Sequence, residues 1–222
     1  PAMARFPTVD ADGHVEENHI DWKERLPARY KSQAPERRPS GNGQLRTIIE
    51  NKAWPRPSGL GIGVGGPYNR PHPRRPGMTD PKARIIDMDS EGIDVAVLFG
   101  AGLAGTLPAL EDAGLAAALA TVRNTWLAEY CAADPKRIKG TTALAQQDIE
   151  ASVDELRRTV IDLGFIGASL FPNVKGRHLG DSYYFPLYAE AEKLNVPICV
   201  HMFLGRYGSD AVGTERVDKF FY

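Results

Sequence analysis

Residues 80–100 read DPKARIIDMDSEGIDVAVLFG and predict one helix followed by one buried strand. Asp80 and Pro81 favour a helix start, because an N-cap carboxylate followed by proline at the first helical position is a common N-terminus. Gly92 is placed to end that helix. Residues 93–99 are almost continuously apolar, which is typical of a parallel strand that is buried on both faces.

The same alternation of helices and apolar strands continues along the chain. Further helices are predicted at residues 112–132, 148–163 and 181–194, further strands at 138–145, 165–171 and 198–201, and a first strand at 6–11. Strands that alternate with helices favour a parallel α/β architecture. We therefore expect a (β/α)8 TIM-barrel type of fold, in a single domain over residues 1–222.

An irregular excursion at residues 23–78 interrupts this pattern. It is rich in proline and charge, and we expect it to fold over one end of the barrel as a long functional loop. Within it, residues 44–54 predict a short strand with a hairpin partner at residues 60–64. At the other end of the chain, residues 212–222 predict a helix.

The turn after the first strand argues against a doubly wound nucleotide-binding fold. Such a fold needs a glycine-rich turn there to receive a phosphate. Residues 12–17 read DGHVEE instead, which is acidic. The glycine-rich residues 61–66 superficially resemble a nucleotide loop, but no helix pattern follows them, so we interpret them as a tight or flexible turn.

Composition narrows the classes of partner. The net charge of -1 gives no electrostatic reason to expect nucleic acid or an anionic membrane. No apolar run approaches the ~20 residues of a membrane span. Cys131 and Cys199 are far apart and imply no disulfide framework, so we expect a cytoplasmic protein.

Asp12, His14 and His201 are the strongest candidates for chemistry. Each lies where a predicted strand ends, and the C-terminal ends of parallel strands converge on one face of a barrel. Imidazole nitrogen and carboxylate oxygen are the ligands that a divalent transition metal prefers. We therefore predict a metal site formed by these three residues. Asp10 is expected on the same strand face as Asp12, two residues deeper, where it could orient His14.

Three further residues lie in loops that follow strands and are predicted to face a substrate. His19 is in the first loop, and Asn173 and Arg177 follow the fourth strand. The planar guanidinium fork of Arg177 suits a substrate carboxylate, because it can bind both oxygens.

Four segments resemble the amidohydrolase superfamily, and specifically its amidohydrolase-related branch around aminocarboxymuconate-semialdehyde decarboxylase. They are VDADGHV at residues 9–15, RIIDMDSEGIDVAVLF at 84–99, NTWLAEYC at 124–131 and LGFIGASLFPNV at 163–174. The family commonly has histidine where this chain has Asp12, although carboxylates occur there in the decarboxylase branch. The family barrel has eight strands, so the resemblance implies that this chain covers about the first five βα units.

The resemblance implies a metal-dependent, non-oxidative decarboxylase, a carbon–carbon lyase, of a small aromatic or unsaturated carboxylate. It implies a divalent metal, for which we expect zinc, with manganese as the alternative. The acid or base would be an Asp after the eighth strand or a His after the sixth, both expected beyond residue 222, so the catalytic residues stay unknown and this chain alone could be inactive.

Two alternatives remain open. One is a metal-dependent hydrolase of a cyclic amide, lactone or ester, since both chemistries share this scaffold. The other is a non-catalytic barrel fragment that associates through its open sheet edges, and such edges also lead us to expect a homo-oligomer.

Overall fold

A computed structural model describes residues 6–17, 19–39, 45–54, 76–101 and 103–201. Asn18, the expected hairpin partner at residues 60–64 and the expected helix at 212–222 lie outside the described residues. The strands, in chain order, are β1 Val9–Glu16, β2 Glu36–Pro39, β3 Leu45–Ile49, β4 Lys52–Trp54, β5 Val95–Ala101, β6 Ile138–Gly140, β7 Thr142–Ala143, β8 Ala168–Leu170, β9 Asn173–Val174, β10 Arg177–His178 and β11 Ile198–Val200. The helices are α1 Trp22–Arg25, α2 Pro81–Glu91, α3 Leu103–Thr106, α4 Ala113–Cys131, α5 Ile149–Leu163 and α6 Phe185–Leu194.

The main strands form a parallel arrangement in chain order. One sheet has the order β1-β5-β6 and the next has the order β7-β8-β11, with every pair parallel. Only Thr141 separates β6 from β7, and its backbone N–H donates to the carbonyl of Leu98 at 3.2 Å. Because β6 and β7 are almost continuous, the two sheets together hold five successive strand positions. A sheet whose spatial order follows the chain winds like a barrel, and a doubly wound sheet does not.

Local signals set the helix ends, as the sequence predicts. The carboxylates of Asp80, Asp112 and Asp148 accept backbone N–H groups in the first turns of α2, α4 and α5. Gly92 and Gly164 end α2 and α5 in the left-handed conformation, with φ of 73° and 70°. These positions satisfy backbone groups that a helix end leaves without partners.

Side chains of the parallel strands alternate between an outer and an inner face. Ala96 and Leu98 of β5 belong to a core cluster with Met88 of α2 and Leu127 of α4, so they point outward into the helical layer. Phe99, between two outward positions, points to the inner face. This alternation decides which strand residues can reach the barrel mouth.

The excursion differs from our expectation. Residues 45–54 hold both arms of a hairpin, β3 and β4, and β2 pairs with β3 to complete a three-stranded antiparallel sheet. The two-residue turn is Glu50-Asn51, with φ of 51° and 58°. Prediction of a single strand over residues 44–54 was therefore wrong, because neither turn residue is the glycine that usually marks such a turn.

In the described part of the chain, no helix is both long enough and apolar enough to cross a membrane.

Candidate metal centre

The side chains of Asp12, His14 and His201 converge. Among the described residues, these three form a group of side chains that could bind a metal ion. The Nε2 atoms of the two imidazoles are 3.1 Å apart. Oδ1 of Asp12 lies 3.4 Å from Nε2 of His201. One ligand atom from each residue lies within 4.8 Å of the others. Residues 187 positions apart in the chain therefore meet at one point.

Two of these separations, 3.1 Å between the two histidines and 3.4 Å between Asp12 and His201, fit a single ion. Ligand atoms bound at about 2.1 Å, with angles between octahedral and tetrahedral, stand about 3.0–3.4 Å apart. Two imidazole nitrogens and one carboxylate oxygen form a donor set that suits zinc or manganese. Both histidines are partly buried, whereas Asp12 is exposed, so the group opens toward solvent on the carboxylate side.

The meeting of His14 and His201 requires the sheet to curve. Five flat strands at about 4.8 Å spacing would put the first and last about 19 Å apart, farther than two histidine side chains reach. His14 is on β1, and His201 directly follows β11, yet their ring centroids are 5.2 Å apart. The strands between them must therefore bend into an arc that faces the site.

A β-bulge in β1 sets the direction of the ligands. Asp10 pairs with Ala96 and Gly13 pairs with Leu98, so β1 holds one extra residue between these pairs. Gly13 and Leu98 share the outer face, and the next residue, His14, pairs with Phe99 on the inner face. The strand also continues past the predicted end, to Glu16.

The bulge corrects our expectation for Asp10. Asp10 shares the face of its outward-pointing partner Ala96, not the face of His14. Its Oδ1 accepts the backbone N–H of Asp12 at 3.0 Å. Asp10 thus contacts the backbone of the bulge and supports Asp12 directly, a role that the simple alternation of an unbroken strand could not reveal.

Arg84 supports the other side of β1. Its Nη2 donates to the backbone carbonyl of His14, and its Nε donates to the hydroxyl of Tyr130 at 3.1 Å. The Tyr130 hydroxyl donates to the carbonyl of Gly77 at 2.5 Å. Side chains of α2 and α4 therefore fix the strand at the position of a candidate ligand.

A buried ion pair lies just beyond β1, and the sequence analysis missed it. Oε1 of Glu17 is 3.4 Å from Nε of Arg123, and both side chains are almost fully buried. Oε2 of Glu17 accepts the backbone N–H of Leu103 at 3.1 Å. Desolvation raises the pKa of Glu17 to about 7, while Arg123 opposes that shift. The sequence does hold a signal that Arg123 is buried. Leu119 and Leu127, one helical turn to either side, are apolar and place Arg123 on the buried face of the helix.

Phe99 forms an apolar wall beside the two histidines. Its ring centroid is 6.3 Å from that of His14 and 5.6 Å from that of His201. Phe99 is buried. The ring restricts the orientation of both imidazoles and keeps water from one side of them.

The three predicted substrate residues occupy different environments. His19 is exposed, and Asn173 is buried with its Oδ1 lacking a hydrogen-bond partner among the described residues. The guanidinium of Arg177 lies 4.1 Å from the ring centroid of Tyr183. Arg177 lines a cavity of about 290 Å³ whose lining includes neither of the other two residues. Their contact with substrate stays a prediction.

Comparison with known proteins extends these findings. The 2-amino-3-carboxymuconate-6-semialdehyde decarboxylase of Dictyostelium discoideum is 30% identical over 148 residues, which are 64% of this chain and 37% of that enzyme. The gamma-resorcylate decarboxylase of Rhodococcus jostii (strain RHA1) is 35% identical over 137 residues, which are 54% of this chain and 41% of that enzyme.

A solved decarboxylase structure is also similar to this chain in its fold. The 5-carboxyvanillate decarboxylase from Novosphingobium aromaticivorans DSM 12444, complexed with manganese and 4-hydroxy-3-methoxy-5-nitrobenzoic acid, is 25% identical to this chain. The two align with a TM-score of 0.59 over 88% of this chain and 50% of that chain. The matches thus span about half or less of the length of these relatives.

The family model described as Amidohydrolase matches residues 9–215, nearly the whole chain, and includes all three candidate ligands. It confirms the resemblance drawn from the four sequence segments, and the chain belongs to the amidohydrolase family.

Proposed function

We propose that this chain carries the metal site of a metal-dependent decarboxylase that acts on a small aromatic or unsaturated carboxylate. The convergence of Asp12, His14 and His201 is the observation that supports this proposal most directly. The relatives described above are decarboxylases of such carboxylates by name, and one was solved with manganese. Together these findings favour decarboxylation over the hydrolase and fragment alternatives.

The charge of the ligand set suits an anionic substrate. Two neutral imidazoles and one carboxylate contribute a charge of −1, so a divalent ion would leave the group with a net positive charge. A bound divalent ion would supply Lewis acidity at a carboxylate or hydroxyl oxygen. The role of the protein side chains is to hold that position rigid: Arg84 fixes the His14 backbone, and Phe99 flanks both rings.

The choice between zinc and manganese is the finer part of this proposal. Two nitrogens and one oxygen with an open side suit zinc with a further ligand. The manganese of the Novosphingobium relative favours the second metal. Supplying each metal in turn to chelator-treated protein and comparing affinity and activity would separate them.

The test combines metal analysis with a panel of carboxylates scored for CO2 release. Chelator treatment should remove the bound metal and any CO2 release that accompanies it, and zinc or manganese should restore both. His201→Asn should remove both metal binding and CO2 release, whereas His178→Asn, a histidine outside the cluster, should remove neither. Ester or lactone hydrolysis without CO2 release would instead support the hydrolase alternative.

Location and assembly complete the proposal. Cys131 and Cys199 are free thiols, which supports a cytoplasmic location. Val200, on the outer face of β11, is 56% exposed. Among the described residues, β11 lies at the edge of its sheet. An edge strand with an exposed apolar side chain supports association with a second copy, and light scattering over a range of concentrations would test it.

A further inference from the structure

Gln146 occupies, with its side chain, the place of a strand residue beside β8. The backbone N–H of Phe171 donates to Oε1 of Gln146 at 2.7 Å, and Nε2 of Gln146 donates to the carbonyl of Phe171 at 3.1 Å. Gln146 is only 1% exposed. A primary amide carries a donor and an acceptor side by side. Both backbone groups of Phe171 are therefore paired with one side chain, and we call these two bonds the Gln146–Phe171 amide pair.

The amide pair extends the contact between β7 and β8 past the point where the two strands separate. Their backbone pairing ends, along the chain, at Ala143 and Ser169. Phe171 lies two residues beyond Ser169, so its N–H and carbonyl face the same neighbouring strand position. The chain has by then turned from β7 toward α5, and the Gln146 side chain fills that position instead.

The opposite side of β8 contacts the backbone of His201. The His201 N–H donates to the carbonyl of Leu170 at 2.9 Å. That carbonyl and the Phe171 N–H belong to the same peptide unit, which is planar and rigid, and in a trans peptide the two groups point in opposite directions. One peptide plane thus joins the Gln146 side chain on one side to the backbone of His201 on the other. Hydrogen bonds in such a chain strengthen one another.

The turn that carries Gln146 is itself held in place. The carbonyl of Ala145 accepts the backbone N–H of Asp148 at 2.8 Å and the hydroxyl of Ser152 at 2.9 Å. Asp148 is also the N-cap of α5. The turn is therefore fixed to the start of α5, so the amide of Gln146 can define the orientation of the peptide plane in β8.

We propose that Gln146 is a positioning residue for the metal ligand His201. It sets the plane of the Leu170–Phe171 peptide, and that plane sets the backbone from which the His201 imidazole extends to the site. Arg84 makes the corresponding contact at the other imidazole ligand, where it binds the carbonyl of His14. This role rests on the proposed function, since it takes His201 to be a metal ligand, and it adds a residue that acts through the backbone.

Gln146→Met tests the role most directly, because it keeps the length of the side chain and removes both hydrogen bonds. Calorimetric titration with Zn²⁺ and, separately, with Mn²⁺ measures Kd. We expect the affinity to fall by about tenfold, the lower end of what the loss of an outer hydrogen-bond partner costs a metal site. In metal-free protein, the His201 amide should also exchange with solvent about tenfold faster, which NMR measures.

Gln146→Glu is the rescue variant. A protonated carboxyl has the shape of the amide and still donates to the Phe171 carbonyl, whereas an ionised one can only accept. Burial favours the protonated form, so the loss of affinity relative to wild type should be smaller at pH 6 than at pH 8. Burial raises the pKa of the neighbouring Tyr184 to about 12, so it keeps its proton at both pH values. Comparison with wild type cancels the charged groups of the nearby cavity wall, which are Glu111, Lys175 and Arg177.

Gln147→Met is the matched control. Gln147 is the next residue and also donates to backbone carbonyls, but these belong to Leu107 and Leu110, outside β8. We expect this variant, like Gln146→Met, to unfold at a lower urea concentration than wild type, because each loses side-chain hydrogen bonds to the backbone. Its metal affinity and its His201 amide exchange should stay within about twofold of wild type.

Two results would overturn this role alone. One is that the variants at position 146 unfold earlier in urea yet bind both ions as wild type does. The other is a loss of affinity in Gln147→Met as large as that in Gln146→Met. A wild type that binds neither ion would instead overturn the metal centre, and the role of Gln146 with it. Titration of the wild type therefore distinguishes the two failures.

Discussion

Gly100 shows how tightly residues pack beside the buried ion pair. A Cβ at this position would lie 2.3 Å from Oε1 of Glu17, 2.5 Å from the Cβ of Ala104 and 3.0 Å from Nη2 of Arg123. Backbone and side chains would have to shift, so we expect Gly100→Ala to lower the free energy of unfolding by about 1–3 kcal/mol. Urea denaturation measures it.

Gly180→Ala is the control for that substitution. A Cβ at Gly180 would meet nothing within 4 Å, and no positive φ is recorded there. It should therefore be neutral or slightly stabilising, by less than about 1 kcal/mol. Equal effects of the two substitutions would contradict the close packing around Glu17.

Glu17 should make stability depend on pH. Its pKa rises on folding from an ordinary 4.5 to about 7, chiefly through burial. The folded state therefore binds the proton more tightly, and the free energy of unfolding should fall as pH rises from 4.5 to about 7, then level off. Glu17→Gln should remove up to about 3 kcal/mol of that decline. Urea denaturation between pH 4.5 and 8 measures the slope.

Glu129→Gln is the matched control, since Glu129 pairs with Arg25 at the surface and should keep the wild-type slope. The same slope in wild type and Glu17→Gln would show that Glu17 is ionised throughout that range.

Some of the site's residues could be predicted from sequence and others could not. His14 and His201 were proposed because each follows a predicted strand, which is a local pattern, although β1 in the structure continues past His14 to Glu16. Glu17 and Arg123 are 106 positions apart, and only the fold brings them together. The side of the strand on which Asp10 lies depends on a β-bulge. The bulge shifts the alternation of side chains by one residue, and residues 9–16 carry no clear sequence signal for it.

At the scale of elements, the β3–β4 hairpin is joined to the start of α4. The Glu50 carboxylate accepts the backbone N–H groups of Glu111 and Asp112 at 3.0 and 2.7 Å. Glu50→Gly should ease the turn, where φ is 51°, yet we expect a net loss of about 1 kcal/mol because two charge-assisted hydrogen bonds disappear. Thermal or urea unfolding checks this.

Asn51→Gly is the paired control in the same turn. It also replaces a residue of positive φ, at 58°, but it keeps the Glu50 carboxylate. We expect it to be neutral or stabilising. If Glu50→Gly proved as stable as Asn51→Gly, the contact with α4 would contribute nothing.

The elements that could be predicted were those whose ends carry a local capping residue. Aspartate caps and left-handed glycines specify helix ends within a few residues, so α2, α4 and α5 could be located from sequence. The break between β6 and β7 could not be located from sequence. It arises because Thr141 donates its backbone N–H to Leu98 of β5, whereas the next residue, Thr142, donates to Gly167 beside β8. Residues 138–145 look like one strand in sequence for that reason.

At the scale of the whole molecule, the strand order and a curved sheet were both expected from the sequence, whereas the side chains that set the curvature were not. Alternating strands and helices imply sequential parallel pairing. The bend of the arc depends on how the helical layer packs outside it and on side chains that meet inside, such as Phe99 with the two histidines.

That curvature leads to the last prediction, because His14 and His201 lie at opposite ends of the arc. An ion bound by both would link β1 to the segment after β11 and so stabilise the folded state. At a free metal concentration of 100 times Kd, the free energy of unfolding should rise by about 2.7 kcal/mol. Urea denaturation with and without manganese or zinc measures this increment.

His14→Asn and His201→Asn should each abolish the increment, whereas His178→Asn should keep it, since His178 lies in the β9–β10 hairpin outside the cluster. A metal that stabilised all three variants equally would bind elsewhere in the protein. Loss of the increment in only one of the two ligand variants would mean that the arc is not closed by a shared ion, and the two imidazoles would then owe their proximity to packing alone.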